Sequence, residues 1–179
     1  MTPRFQLMLG DLTAMDTEAL VNSTDCTLLD GGPVHAAVHG AAGEELRTAC
    51  AALGGCPVGE ARITRGYRLQ ARYVIHTVAP TWQDGAHGEE QLLTACYRSS
   101  LRLAAERGLR SLAFPSIGSG RQPQIPLERA APVAVGTILS FLEAHPVPEK
   151  VVLVCFDAPT YQAHQRALDL AHALLVDHG

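Results

Sequence analysis

Residues 21–43 read VNSTDCTLLDGGPVHAAVHGAAG, and the order inside this stretch decides the fold class. An apolar run, Ala19-Leu20-Val21, leads into it as a strand. Small polar residues follow, then Asp30-Gly31-Gly32-Pro33, then a helix in which Val34, Val38, Ala41 and Ala42 recur at helical spacing. Pro33 suits the first helical turn, where its missing N–H costs nothing. Strand, glycine loop and helix in that order describe an α/β unit. Glycines let a ligand approach the backbone closely, and the N–H groups of a following helix carry partial positive charge. The local chemistry therefore favours an anion, with phosphate the natural candidate.

The same alternation extends in both directions. Upstream, Phe5-Gln6-Leu7-Met8-Leu9 is a short strand ended by Gly10-Asp11, with Asp16 or Thr17 as candidate caps before the next strand. Downstream, Glu44 to Leu53 continues as helix, and Gly54 to Gly59 is a turn cluster. Ala61 to Arg65 alternates as a strand, with Tyr67-Arg68-Leu69 read as its continuation past Gly66. Tyr73 to Val78 is β-branched and aromatic, so a buried strand, and Gln83 to Gly88 is a polar loop. Glu89 to Arg107 carries a helical apolar stripe that stops at Gly108. Ser111 to Pro115 is a strand entering a second glycine loop, Ser116 to Gly120. A helix from Pro126 to Ala144, the apolar strand Lys150 to Phe156 and a helix from Thr160 to Val176 complete the pattern. The continuity of the last strand predicts cover on both faces. Ligands of such sheets gather beyond the carboxyl ends of the strands. Gly10-Asp11, Asn22 to Pro33, Ser116 to Gln124 and Phe156-Asp157 are the loops expected to meet there.

Composition narrows the function. The chain has 179 residues, 47% hydrophobic and 18% charged, which suits one α/β domain over residues 1–179. A formal charge of −4 provides no broad basic face, so binding along a nucleic-acid backbone is not expected. Five scattered cysteines without CxxC spacing suggest reduced thiols rather than a disulfide framework or zinc ribbon. No stretch approaches the roughly 18 apolar residues of a membrane span. A cytoplasmic location is the corresponding expectation.

The motifs, taken in order, resemble the macrodomain family. They are Gly10-Asp11-Leu12-Thr13, Val21-Asn22, Leu28-Leu29, Ala41-Ala42-Gly43, Gly54-Gly55-Cys56-Pro57-Val58-Gly59-Glu60-Ala61, Tyr73 to Val78, Cys96-Tyr97-Arg98, Ala113-Phe114-Pro115 and Val154-Cys155-Phe156-Asp157. The resemblance is nearest to the MacroD-type branch, which includes O-acetyl-ADP-ribose deacetylases and mono-ADP-ribosyl hydrolases. It implies a three-layer α/β/α fold with a mixed central sheet, and ADP-ribose or an ADP-ribosylated protein as partner. It also implies an adenine amino group bonded to Asp11, with the Leu12 backbone beside it and Phe156 packed on the ring. The diphosphate would be enclosed by the Gly31-Gly32 and Ser116-to-Gly120 loops. The resulting ligand-binding set is Asp11, Leu12, Asn22, Gly31, Gly32, Val34, Ser116, Gly118, Ser119, Gly120, Arg121, Gln122 and Phe156. No cofactor and no metal are expected, and the chain is expected to act as a monomer.

Departures from the family pattern are confined to one half. Asn22-Ser23-Thr24-Asp25 stands where relatives carry Asn-Ala-Ala-Asn, so an orienting amide becomes a carboxylate at Asp25. Asp30-Gly31-Gly32-Pro33-Val34-His35 stands for Gly-Gly-Gly-Gly-Val-Asp, so the Asp assigned to the catalytic water becomes His35. Gly118-Ser119-Gly120-Arg121-Gln122-Pro123 lacks the aromatic that flanks the distal ribose. His35 and Asp25 are the catalytic candidates in their place, as base and orienting carboxylate. Plainer readings stand beside these. Asp11 would serve as a turn cap, Asp25 as an Asx-turn residue, Arg121 as a solvated charge, Cys26 as an inert loop thiol and His76 as a core histidine. His35 and His39 have helical spacing for zinc but no third ligand in sequence. The functional alternatives are ADP-ribosyl or O-acetyl-ADP-ribose hydrolysis, a non-catalytic ADP-ribose reader, and a degenerate macrodomain binding another nucleotide.

Overall fold

The computed structural model describes residues 3–120 and 123–177. Its strands are β1 (Phe5–Leu9), β2 (Ala19–Thr24), β3 (Ala61–Arg65), β4 (Tyr73–Val78), β5 (Ser111–Pro115) and β6 (Lys150–Cys155). Its helices are α1 (Pro33–Ala42), α2 (Glu44–Leu53), α3 (Glu89–Glu106), α4 (Leu127–Ala144) and α5 (Ala158–Val176). The strands form one sheet in the order β1-β6-β5-β2-β4-β3, parallel except for β3, which runs antiparallel to β4. This is the mixed sheet expected of the three-layer fold.

Period-two alternation assigns side chains to the two faces. Ala19, Val21, Leu112, Phe114, Val151, Leu153 and Cys155 pack in one core with α3, α4 and α5. Leu20, Ala113, Val152 and Val154 pack in the other with Val38, Ala42, Leu46 and Cys50 of α1 and α2. Burial on both faces explains the unbroken apolar run of β6, which lies one strand in from the β1 edge.

Two boundaries differ from expectation by more than one residue. The strand does not continue through Tyr67-Arg68-Leu69. Gly66 N–H bonds Arg72 O at 2.7 Å, Leu69 N–H bonds Gly66 O at 3.0 Å, and Tyr67 takes a left-handed φ of 52°. A tight turn therefore replaces the strand. The last helix starts two residues before Thr160 because Asp157 caps it, its Oδ1 accepting the Thr160 N–H at 2.9 Å. The early cap is Asp11 rather than Asp16 or Thr17: it precedes a 3-10 turn at Leu12–Ala14.

Candidate functional site

The carboxyl ends of the parallel strands share one edge, and four loops meet there. They form two adjoining hollows. The first, about 280 Å³, is mainly apolar and is lined by residues that include Gly10, Asp11, Leu12, Val38, Val154 and Phe156. Asp11 uses Oδ1 on its own turn, accepting from Thr13 N at 2.9 Å and Thr13 Oγ1 at 2.8 Å. The capping reading of Asp11 is thus correct, and it coexists with a place in the cavity wall. Phe156 follows β6 and is 60% exposed, which distinguishes it from a core aromatic.

The second hollow is a cleft between the glycine loops. Ser23, Thr24, Gly31, Gly32, Pro33 and Val34 form one wall, Ser116, Gly118, Gly120 and Pro123 another, and Ala79, Pro80 and Thr81 a third. Pro33, Val34 and Ser116 belong to both hollows and join them. Glycine is needed for identifiable reasons. A Cβ on Gly31 would stand 2.7 Å from His35 Cβ, and one on Gly118 would stand 2.8 Å from Ile125 Cδ1 at a φ of +85°. A Cβ on Gly120 would lie 3.5 Å from the Pro33 ring, so the two loops face each other closely.

The loop before α1 is tied internally. Asp25 N–H and Thr24 Oγ1 both donate to Asp30 O at 2.9 Å. Asp25 Oδ1 accepts from Thr27 N at 3.0 Å and Thr27 Oγ1 at 2.5 Å, the Asx turn that sequence offered as one alternative. Arg47 of α2 holds Leu29 O at 3.0 Å. Asp30 Oδ1 accepts the Gly31 N–H at 2.8 Å and thereby occupies a donor assigned to the ligand. With no N–H on Pro33, the first turn of α1 offers Val34 and His35.

Neither member of the His35 and Asp25 pair lines the cleft or the cavity. His35 is buried beneath Gly31, stacked on His39 at 4.1 Å between ring centroids. Its Nδ1 lies 3.4 Å from Asn22 Nδ2. Burial lowers its pKa from the usual range, against smaller upward pulls from a Leu29 backbone hydrogen bond and the Asp30 and Asp25 carboxylates. Asn22 is itself fully buried and belongs to a polar layer under the cleft rather than to its wall. It sits opposite His76 in the β2–β4 register, with Nδ2 3.2 Å from His76 Nδ1.

His76, read as a core histidine, is one: it has no exposure and places Nε2 3.0 Å from Thr64 Oγ1. Burial, then the neighbouring His39 and His35, depress its pKa to about 3; burial, His35 and Arg47 bring His39 to about 4. The ligand-type atoms of His39, Cys50 and His76 lie within 4.8 Å of one another, a grouping invisible in the spacing of His35 and His39. With His76 Nε2 engaged by Thr64 and burial pushing the Cys50 thiol up to about 11, the layer is one of neutral groups.

Two further features escaped the sequence reading. Glu89 accepts N–H groups from Gln83, Asp84, Gly85 and His87, organising the supposed polar loop after the Pro80-Thr81 wall. Arg129 adds a 2.6 Å bond to Glu90 and lies 5.0 Å over the Trp82 ring. His164 of α5 stands 3.4 Å from Ser116 Oγ through Nε2, with its Nδ1 2.8 Å from Thr160 O. Tertiary contact alone brings Arg129 to Glu90 and His164 to Ser116, so no local signal marked those pairs, whereas the Glu89 bonds are local to the loop that precedes it. Ser119 secures its loop by donating from Oγ to Ser116 O at 2.7 Å. Arg121 and Gln122 lie outside the described residues.

A mixed α/β/α sheet with glycine loops converging at the carboxyl edge defines a class of domain with a composite cleft. Comparison specifies the family: residues 21–134 match the Macro domain model, and the chain belongs to the macro domain family. A macro domain-containing protein of Mesorhizobium japonicum is 48% identical over 92% of this chain and 93% of its own. A protein of Escherichia fergusonii named O-acetyl-ADP-ribose deacetylase is 41% identical over 94% and 97%. The solved Oceanobacillus iheyensis macrodomain with ADP superposes with a TM-score of 0.87 at 36% identity, over 93% of this chain and 90% of that one. A mutant of that macrodomain with ADPR gives 0.89 at 36% identity, over 93% and 92%.

Proposed function

We propose that this domain binds ADP-ribose, free or attached to a protein. The observation that carries the reading is the pair of joined hollows, one apolar with a carboxylate at its wall and the other walled by glycine backbone. Adenine fits the first, between Leu12, Val38 and Phe156, with its amino group directed to Asp11. The diphosphate fits the second, between the start of α1 and the Ser116-to-Gly120 loop, where backbone donors rather than basic side chains supply the attraction. The neighbours solved with ADP and ADPR support the assignment. Isothermal titration with ADP-ribose should give one site per chain, with adenosine weaker. Absence of heat at high micromolar ligand would sink the proposal.

Hydrolysis of O-acetyl-ADP-ribose or mono-ADP-ribosyl esters is the second reading, supported by the relative named as a deacetylase. The buried position of His35 and the turn role of Asp25 give little support to that pair as base and orienter. Ester turnover by wild type and His35→Ala should therefore be similar once both are shown folded. A rate loss beyond about 100-fold, the scale of general-base catalysis, would restore His35 to the mechanism.

A further inference from the structure

We propose that Ser23 and Thr81 form a hydroxyl pair that recognises the terminal sugar of the ligand and sets a preference for a nucleoside diphosphate sugar over the bare nucleoside diphosphate. The inference deepens the ADP-ribose reading and rests on it. Ser23 and Thr81 line the cleft and not the apolar hollow, whereas Pro33, Val34 and Ser116 line both. A nucleotide with its base in the apolar hollow and its diphosphate along the glycine loops therefore points its remaining group toward Ser23 and Thr81.

The polar side chains of the cleft differ in what they leave free. Thr24 Oγ1 is committed to Asp30 O at 2.9 Å, and Ser116 Oγ faces His164 Nε2 at 3.4 Å. Asp25 and His35, the residues first matched to this end of the ligand, do not line the cleft. The Ser23 and Thr81 hydroxyls have no partner among the described residues, and Ser23 is half-buried while Thr81 is exposed, so a ligand in the cleft reaches both. A hydroxyl donates as well as accepts, which matches the hydroxyls of a sugar. No Lys or Arg among the described residues lines the cleft, which favours a neutral polyol over a third phosphate at this position.

Both residues are held in place by the fold. Ser23 lies in β2, where the register pairs it with Thr77 of β4, and Thr81 follows the end of that neighbouring strand. The chain just beyond Thr81 is fixed by Glu89, which accepts the Gln83 N–H at 3.0 Å and the Gly85 N–H at 2.9 Å, while Arg129 lies 5.0 Å over the Trp82 ring. The wall that carries Thr81 is therefore set before a ligand arrives, and little ordering entropy opposes its hydrogen bonds. Ser23 stands where the family pattern has alanine, so its hydroxyl belongs to this chain's own version of the cleft.

The test compares ADP-ribose with ADP by isothermal titration on the full chain. Wild type should bind ADP-ribose about tenfold or more tightly than ADP, the scale of two neutral hydrogen bonds. Ser23→Ala and Thr81→Val should each lower ADP-ribose affinity about three- to tenfold, and the double variant should bring it to the level of ADP. ADP affinity should stay within about twofold throughout, which a merely structural role would not give. Thr81→Ser keeps the hydroxyl and should keep the preference, and urea midpoints measured beside the titrations establish that each variant is folded. An unchanged ratio of the two affinities in the double variant would overturn the inference, as would ADP affinity falling in step with that for ADP-ribose. Wild type that binds both nucleotides equally would overturn it while leaving nucleotide binding intact. Wild type that binds neither would remove the ADP-ribose reading and this inference together.

Discussion

The two ends of the cleft are built by different means. At the Asp11 and Phe156 end, a short turn and a strand terminus place a carboxylate and an exposed ring on an apolar hollow, with few internal ties on either side chain. At the Asn22-to-Pro33 end, the Thr24, Asp25, Thr27 and Asp30 side chains are bonded within the loop and Asn22 Nδ2 meets the layer below, while Asn22 Oδ1 has no partner among the described residues. The first region is arranged to meet a ligand. The second is arranged to hold itself. The contrast separates recognition of an adenine-like group from chemistry at the far end of the same molecule.

The sharpest way to break that contrast is to empty the recognition end. Phe156→Ala removes a ring whose packing on a flat base is worth about 2 kcal/mol, so ADP-ribose affinity should fall roughly 30-fold. Stability should barely move, because the ring is 60% exposed. Calorimetry beside urea unfolding checks both statements. A large stability loss with affinity kept would make Phe156 a structural residue.

The self-holding end should reveal itself through acid. His76 and His39 have folded pKa values of about 3 and about 4, below the ordinary 6.5, because burial favours their neutral forms. The unfolded chain therefore takes up protons first as pH falls. Stability is complete above about 6.5 and declines below it, by up to about 1.4 kcal/mol per pH unit for each such imidazole. Counting only the fully buried His76, the loss between pH 6.5 and 5 is about 2 kcal/mol. His35 and His164 act in the same direction. Urea midpoints in EDTA-containing buffer at pH 7 and 5 measure it, and equal midpoints would refute a neutral histidine layer.

These two predictions draw on features that were unequally legible in the sequence. The strands, the helices and the glycine loops follow from period and turn residues, all local signals; the place of Phe156 at the site follows only from the family resemblance, because the apolar run by itself carries the strand through it and reads it as core. The partners of Asn22, His35 and Ser116 follow from neither. Asn22 and His76 are 54 positions apart and Ser116 and His164 are 48 apart, joined only by register and helix packing. Sequence likeness carried His35 and Asp25 toward a catalytic role. The structure shows what it could not: that Gly31 covers one and that Thr27 engages the other.

Asp11 offers a finer test, since it serves both stability and recognition. Asp11→Ala should cost about 1 kcal/mol of stability through the lost cap. It should also cost about tenfold in ADP-ribose affinity through a lost hydrogen bond to a charged acceptor. Asp11→Asn keeps a capping oxygen and should restore most of the stability while leaving affinity low. Equal affinity in all three proteins would confine Asp11 to capping.

The smallest expected effect has the opposite sign. Asp30 places a carboxylate against the Gly31 N–H, at the wall proposed to meet the diphosphate. It occupies a donor and brings a like charge toward an anion, but the side chain is exposed and solvent screens it. Asp30→Ala should therefore tighten ADP-ribose by only about two- to fivefold, of the order expected for one exposed charge. The gain should shrink as salt is raised, and adenosine, which has no diphosphate, should bind both proteins alike. Asp30→Asn retains an acceptor for Gly31 while losing the charge, so a gain there equal to alanine's would assign the effect to repulsion. A gain seen only in alanine would assign it to the captured N–H. Weaker binding by Asp30→Ala would mean that the carboxylate supports the ligand loop more than it opposes the ligand, placing Asp30 with the groups that hold the loop together.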